Sequence, residues 1–172
     1  MAACPSDCPE NGAMTAVLAP PYSLSSGISV WVAAKDGEPL IHVRETAECF
    51  KTKTVIFTTV GVALTHEEWR ELAKYRIELT TGLKYAHGWK KPELNRKLSS
   101  MTSVSTGIGY QGGSTIRLFQ FIDDNDDEDG GFNDEELKEP CAEISLWPNA
   151  WHQLTNSWSE IDELIESVTI AA

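Results

Sequence analysis

The stretch from Lys84 to Lys97 (Lys84-Tyr85-Ala86-His87-Gly88-Trp89-Lys90-Lys91-Pro92-Glu93-Leu94-Asn95-Arg96-Lys97) sets five bases against one acid, with two aromatic rings interleaved. Cations among aromatics suit a single-stranded nucleic acid, because the cations track phosphates and the rings stack on bases. With the bases that precede it, the candidate nucleic-acid-binding set is Lys35, Arg44, Lys51, Lys53, Trp89, Lys90, Lys91, Arg96, Lys97 and Tyr110. Trp31 is a further candidate ring. The plainer reading of so short a stretch is a solvated linker.

A second pattern lies in the acidic run. Asn125, Asp127, Asp129, Gly130, Phe132, Asn133 and Glu136 fall at positions 1, 3, 5, 6, 8, 9 and 12 of an EF-hand-like calcium loop. Alternate oxygen ligands, a turn glycine and a closing Glu are what a hard cation requires. Position 1 is Asn where Asp is usual, and the flanks read as strands where an EF-hand needs helices. Asn125, Asp127, Asp129 and Glu136 therefore stand as a weak calcium candidate, beside the reading of a solvated or partner-binding loop. Calcium is the one cofactor the sequence suggests.

Catalytic patterns are lacking. Paired carboxylates occur only in the acidic run, with no apolar pocket to raise a pKa. There is no nucleophile elbow, P-loop or dinucleotide fingerprint, and Gly107-Ile108-Gly109 lacks the third glycine. Cys4, Cys8, Cys49 and Cys141 form no CxxC pair and read as reduced thiols. The sequence is read as a non-enzyme.

These residues sit in a chain of 172 residues with 14 Lys+Arg against 26 Asp+Glu, a formal charge of -12. That total argues against nucleic acid until it is split by position. Asp123 to Glu139 holds ten acids and one base, whereas residues 1–100 hold 12 bases and 11 acids. The acidity is one local run. No apolar segment is long enough to span a bilayer, and the first 20 residues contain no Lys or Arg, so neither a membrane span nor a secretory leader is expected.

The elements repeat. Residues 1–26 lack periodicity and are expected to be a flexible tail. Ile28–Val32, Leu40–Arg44 and Lys53–Leu64 have strand patterns, with a turn at Lys35–Glu38. Thr65-His66-Glu67-Glu68 is a capping box. The helix after it carries Trp69, Leu72, Ala73, Arg76 and Leu79 on one face and is expected to stop at Gly82. Val104–Tyr110, Ser114–Ile122 and Ala142–Leu146 repeat the strands, and Pro148 opens a helix with Trp151, Leu154, Trp158 and Ile161 on its stripe. Ile41 maps to Ile116 and Trp69 to Trp151, offsets of 75 and 82 positions. The helix tryptophans are expected in the core.

The stretch Ile144-Ser145-Leu146-Trp147-Pro148-Asn149-Ala150-Trp151-His152-Gln153-Leu154, continuing to Ser159-Glu160-Ile161-Asp162, resembles the end of the positive cofactor four family of transcriptional coactivators. Leu40–Glu45 and Gly61–Trp69 resemble that family's second strand and its strand-to-helix junction. The resemblance spans about residues 27–80 and 104–170. It implies a curved antiparallel sheet with a C-terminal helix, dimerisation through the helices, single-stranded DNA binding along the sheet ridges, and a nuclear location. Its basic positions are largely replaced. The aromatic-Lys-Gly-Lys hairpin becomes Tyr110-Gln111-Gly112-Gly113 in the second unit and Lys35-Asp36-Gly37-Glu38 in the first. Arg44 and Glu45 match, while Thr46 and Ala47 replace an aromatic pair. The basic pair of the last strand becomes Thr59-Val60 and Cys141-Ala142.

The expected fold is α+β: two repeats, each a curved antiparallel sheet followed by one C-terminal helix, packed as an intramolecular pseudo-dimer. The expected parts are the tail, a first repeat over 27–80, a basic and aromatic linker over 81–103, and a second repeat over 104–172 with its acidic loop at 123–139. The expected function is single-stranded nucleic-acid binding of coactivator type, weakened or one-sided. The alternative is an interaction protein that uses the acidic loop to hold a basic protein partner or to mimic DNA. Further self-association of the chain is left open.

Overall fold

The computed structural model describes residues 15–17, 22–24, 27–85, 94–108, 113–121 and 140–171. The first sheet is built on β3 (Ile28–Lys35), β4 (Glu38–Glu48) and β5 (Val55–Thr65), consecutive antiparallel neighbours. Alternation fixes its two faces. Val30, Val32, Ile41, Val43, Val62 and Leu64 are all buried on the inner face, while Trp31 pairs with His42 on the outer one. The β3–β4 turn has Asp36 at φ 54° and Gly37 at φ 82°, a tight hairpin of left-handed residues whose twist suits the flanking strands.

β1 (Thr15–Val17) and β2 (Tyr22–Leu24) also pair with β3, at Ala33–Ala34 and at Ile28–Val30. These strands lie inside the segment expected to be a tail. Pairing satisfies the backbone groups that β3 would otherwise expose as an edge, and Leu24 enters the core. Three-residue strands are too short to show a period.

The second sheet runs β6 (Asn95–Lys97), β7 (Thr102–Ile108), β8 (Ser114–Gln120) and β9 (Ala142–Leu146), again antiparallel neighbours in order. β6 lies in the segment expected to be a linker, and Leu83 and Leu98 on either side of it are buried.

Each half has two helices where one was expected. α1 (His66–Lys74) and α2 (Arg76–Tyr85) break at Tyr75, and α3 (Pro148–Asn156) and α4 (Trp158–Ala171) break at Ser157. The break divides the labour. α1 lies on β4 and β5 and α3 on β8 and β9 and also on the first half's β2, whereas α2 crosses to β7 and β8 and α4 to β3 and β4. Gly82 does not end its helix: it lies inside α2, where an added Cβ would come within 3.1 Å of Thr106 Cγ2, so it serves close packing on β7. Trp69, Trp151 and Trp158 are all in the core, and the Trp69 and Trp158 rings stack with centroids 3.7 Å apart. The architecture is thus mixed α+β, with two antiparallel sheets and four helices among the described residues.

Glu68 ties the halves together. The capping box forms as expected: Thr65 Oγ1 accepts from the Glu68 N–H, and Glu68 Oε2 accepts from the Thr65 N–H at 2.9 Å. The other carboxylate oxygen accepts from the hydroxyls of Ser99 at 2.7 Å and Thr102 at 2.6 Å, both in the second half. Gln120 Nε2 then donates to Thr102 Oγ1 and to the Ala63 carbonyl, which joins β8 to β5. This carboxylate is only 5% exposed. Hydrogen bonds to a buried charge are worth about 1.5–3 kcal/mol each, and orphaned partners add to the loss. Glu68→Ala should therefore lower stability by about 2–4 kcal/mol in urea denaturation, whereas the exposed neighbour change Glu67→Ala should stay within about 0.5 kcal/mol. Equal effects at the two positions would contradict the network.

Candidate nucleic-acid interface

The outer face of the first sheet carries an aromatic cluster. Trp31 and His42 are cross-strand partners whose rings lie nearly parallel, 5° apart, with centroids at 5.0 Å. Phe57 also packs on Trp31, tilted by 44° with centroids at 4.4 Å. Trp31 is only 5% exposed, whereas Phe57 is 43% exposed and is the ring of this cluster open to solvent.

Arg44 is placed beside this cluster by an irregularity in the β4–β5 pairing. Arg44 pairs with Gly61 and Thr46 with Phe57, so residues 58–60 bulge opposite Glu45 alone. A Cβ on Gly61 would meet Val43 O at 2.5 Å and Arg44 Cα at 2.7 Å, both backbone atoms, so only glycine permits this approach. Thr58 Oγ1 donates to Glu45 O, and Arg44 Nη1 donates to Thr58 O at 3.3 Å. Among the described residues no acid pairs with Arg44.

The remaining candidates distribute unevenly. Lys51 and Lys53 lie in the β4–β5 loop, both exposed, with Lys53 Nζ 3.7 Å from Glu48. Lys35 is exposed at the opposite end of the sheet, as the last residue of β3 before the turn. Lys97 is exposed on β6. Arg96 is held in an ion pair. Its Nη2 and Nε donate to the two carboxylate oxygens of Glu78 on α2, at 2.5 and 3.3 Å, and its guanidinium lies over Tyr75. A fork-to-fork pair of this kind clamps β6 to α2. Trp89, Lys90, Lys91 and Tyr110 lie outside the described residues, as do Asn125, Asp127, Asp129 and Glu136. Among the described residues no group of three or more His, Cys, Asp or Glu is placed to hold a metal ion. No described helix is long and apolar enough to cross a membrane.

The corresponding face of the second sheet is differently arranged. Arg117 donates through Nε and Nη2 to Glu143 Oε2 and lies over Phe119, which meets Phe121 edge-on. On that face Arg117 is held by an acid from the next strand, while Lys97, in register with Ser103 and through it with Phe119, is exposed on the same face. His42 and Phe57 were missed in the sequence because a strand pattern marks which residues alternate, not which face is left uncovered.

Burial, and after it the Arg44 charge, pushes the His42 pKa from 6.5 down to about 4. The folded imidazole is therefore neutral near pH 7, and the unfolded chain takes up the proton first as pH falls. The stability that this brings is complete above about pH 6.5 and is lost progressively towards pH 4. With a discount for partial exposure, wild type should lose about 1–2 kcal/mol more than His42→Phe between pH 7 and pH 4.5, because carboxylates common to both cancel. Denaturant curves across that range measure it, and parallel profiles would contradict it.

No family model and no curated protein matches the chain. A solved structure described as crystal structures of trypanosoma bruciei MRP1/MRP2 aligns over 87% of this chain and 81% of that chain, with 11% identity and a TM-score of 0.36. Likeness at that level leaves the interface to be read from its own residues.

Proposed function

We propose that the chain is a non-enzymatic single-stranded nucleic-acid-binding protein, and that it binds on one side, across the outer face of its first sheet. The observation that carries this reading is Arg44, which no described acid pairs with, beside the Trp31–His42–Phe57 cluster, with Lys51 and the exposed Lys53–Glu48 pair at the end of the same hairpin. Exposed cations in line with an aromatic surface suit a polyanion whose bases are unpaired. On the second sheet Glu143 pairs with Arg117 and leaves Lys97 as the exposed cation at the sheet edge, so that face offers the weaker site. The coactivator role and a nuclear location are proposed on the resemblance at Ile144–Leu154.

We further propose that the two halves are tandem repeats forming a pseudo-dimer within one chain. Trp69 Nε1 donates to Asp162 Oδ1 at 2.8 Å, and Trp151 Nε1 donates to Thr80 Oγ1 at 2.9 Å. Trp69 and Trp151 are 82 positions apart, as are Thr80 and Asp162. Two reciprocal bonds between equivalent positions are what a twofold relation between repeats produces.

Fluorescence anisotropy with a labelled oligothymidylate tests the binding. Affinity should fall between ~50 and ~200 mM salt with a log–log slope of about -2, from three cations each contributing about -0.7. Arg44→Ala should weaken binding about tenfold or more, and Arg117→Ala should leave it within about twofold. No binding by the folded protein at ~50 mM salt would overturn the reading.

A further inference from the structure

The β4–β5 loop presents an aromatic ring that none of the foregoing uses. Phe50 is 91% exposed at its tip. Single exposed apolar residues are ordinary, so exposure alone decides nothing. The loop around Phe50, however, is built. The Cys49 N–H donates to Thr54 O at 2.9 Å, the Lys53 N–H donates to Cys49 O at 2.8 Å, and the Thr52 and Thr54 hydroxyls are hydrogen-bonded at 2.6 Å. Lys53 sits at φ 56°, a left-handed conformation that a long side chain seldom adopts. The hydrogen bonds thus hold a turn that puts Lys51 and Lys53 on either side of Thr52, next to Phe50. From the Thr46–Phe57 pair, two further registered rungs lead to Glu48–Val55, where the loop begins, roughly 7 Å along the strands.

We infer that Phe50 is a base-stacking residue, and that the 49–54 loop grips a single strand at the end of the face carrying Arg44 and Phe57, with Lys51 and Lys53 on the flanking phosphates. This rests on the nucleic-acid reading above and extends it to a ring outside the sheet. A fixed loop suits the role, since a ring already held out from the sheet loses little conformational freedom when a base lands on it. The adjacent lysines favour a polyanion over an apolar protein groove.

The test compares wild type, Phe50→Ala and Phe50→Trp on two probes: a 12-nucleotide oligothymidylate and a strand of equal length whose central sugars are abasic. Phe50→Ala should bind the thymidylate about five- to fiftyfold more weakly, while Phe50→Trp keeps wild-type affinity and the loss shrinks to under about twofold on the abasic strand. With Phe50 in solvent, unchanged thermal melting checks that the variants are folded. Wild-type affinity of Phe50→Ala for thymidylate overturns this inference and leaves the proposed function standing, as does an equal loss on both probes. Phe50-dependent binding to phosphatidylserine vesicles without Phe50-dependent binding to thymidylate also overturns it. Failure of wild type to bind either strand at ~50 mM salt overturns the function and this inference together.

Discussion

The Trp69 indole is held at the place where the two halves of the chain meet. Its ring stacks on Trp158, its N–H bonds Asp162, and the Arg76 guanidinium caps the Trp158 ring at 4.7 Å. Because helices from each half cross onto the other half's sheet, neither sheet has a complete core of its own. A half of this size would be marginal alone, and sharing the helical layer lets both inner faces be buried at once. The breaks at Tyr75 and Ser157 follow from this constraint, since a straight helix could not cover its own sheet and then its neighbour's.

That shared core also decides where a ligand can go. With the inner faces committed to Trp69, Trp151 and the leucines around them, recognition is left to the outer faces and the loops. On the first sheet the departure from regular pairing is concentrated at Gly61, and there Arg44 bonds the Thr58 carbonyl, with no acidic partner among the described residues. On the second sheet, regular pairing brings Glu143 opposite Phe119, within reach of Arg117. The difference in electrostatics between the faces is thus tied to a local difference in strand geometry.

Long periodic elements were legible in the sequence, and short or discontinuous ones were not. Ile41, Val43, Trp69 and Leu72 announce their faces through spacing, and the Thr65–Glu68 cap needs only four residues to be recognised. β1, β2 and β6 are three residues each, too short to show a period, and their partners lie outside them in the following strands. Gly82 looked like a helix stop because its packing partner, Thr106, belongs to another strand. Of the candidate cations, Arg44 and Lys51 pair with no acid among the described residues, while Arg96 was claimed by Glu78 across 18 positions. Phe50 and Phe57 carry no sequence signal that separates them from core phenylalanines. Only burial distinguishes them.

The central claim is that a single strand lies on the outer face of the first sheet and nowhere equivalent on the second. Amide hydrogen exchange with and without a saturating oligothymidylate tests it most directly. The account predicts slowed exchange in β3, β4 and the 49–54 loop, with β8 and β9 unchanged. Protection confined to β8 and β9, or spread equally over both sheets, would contradict it.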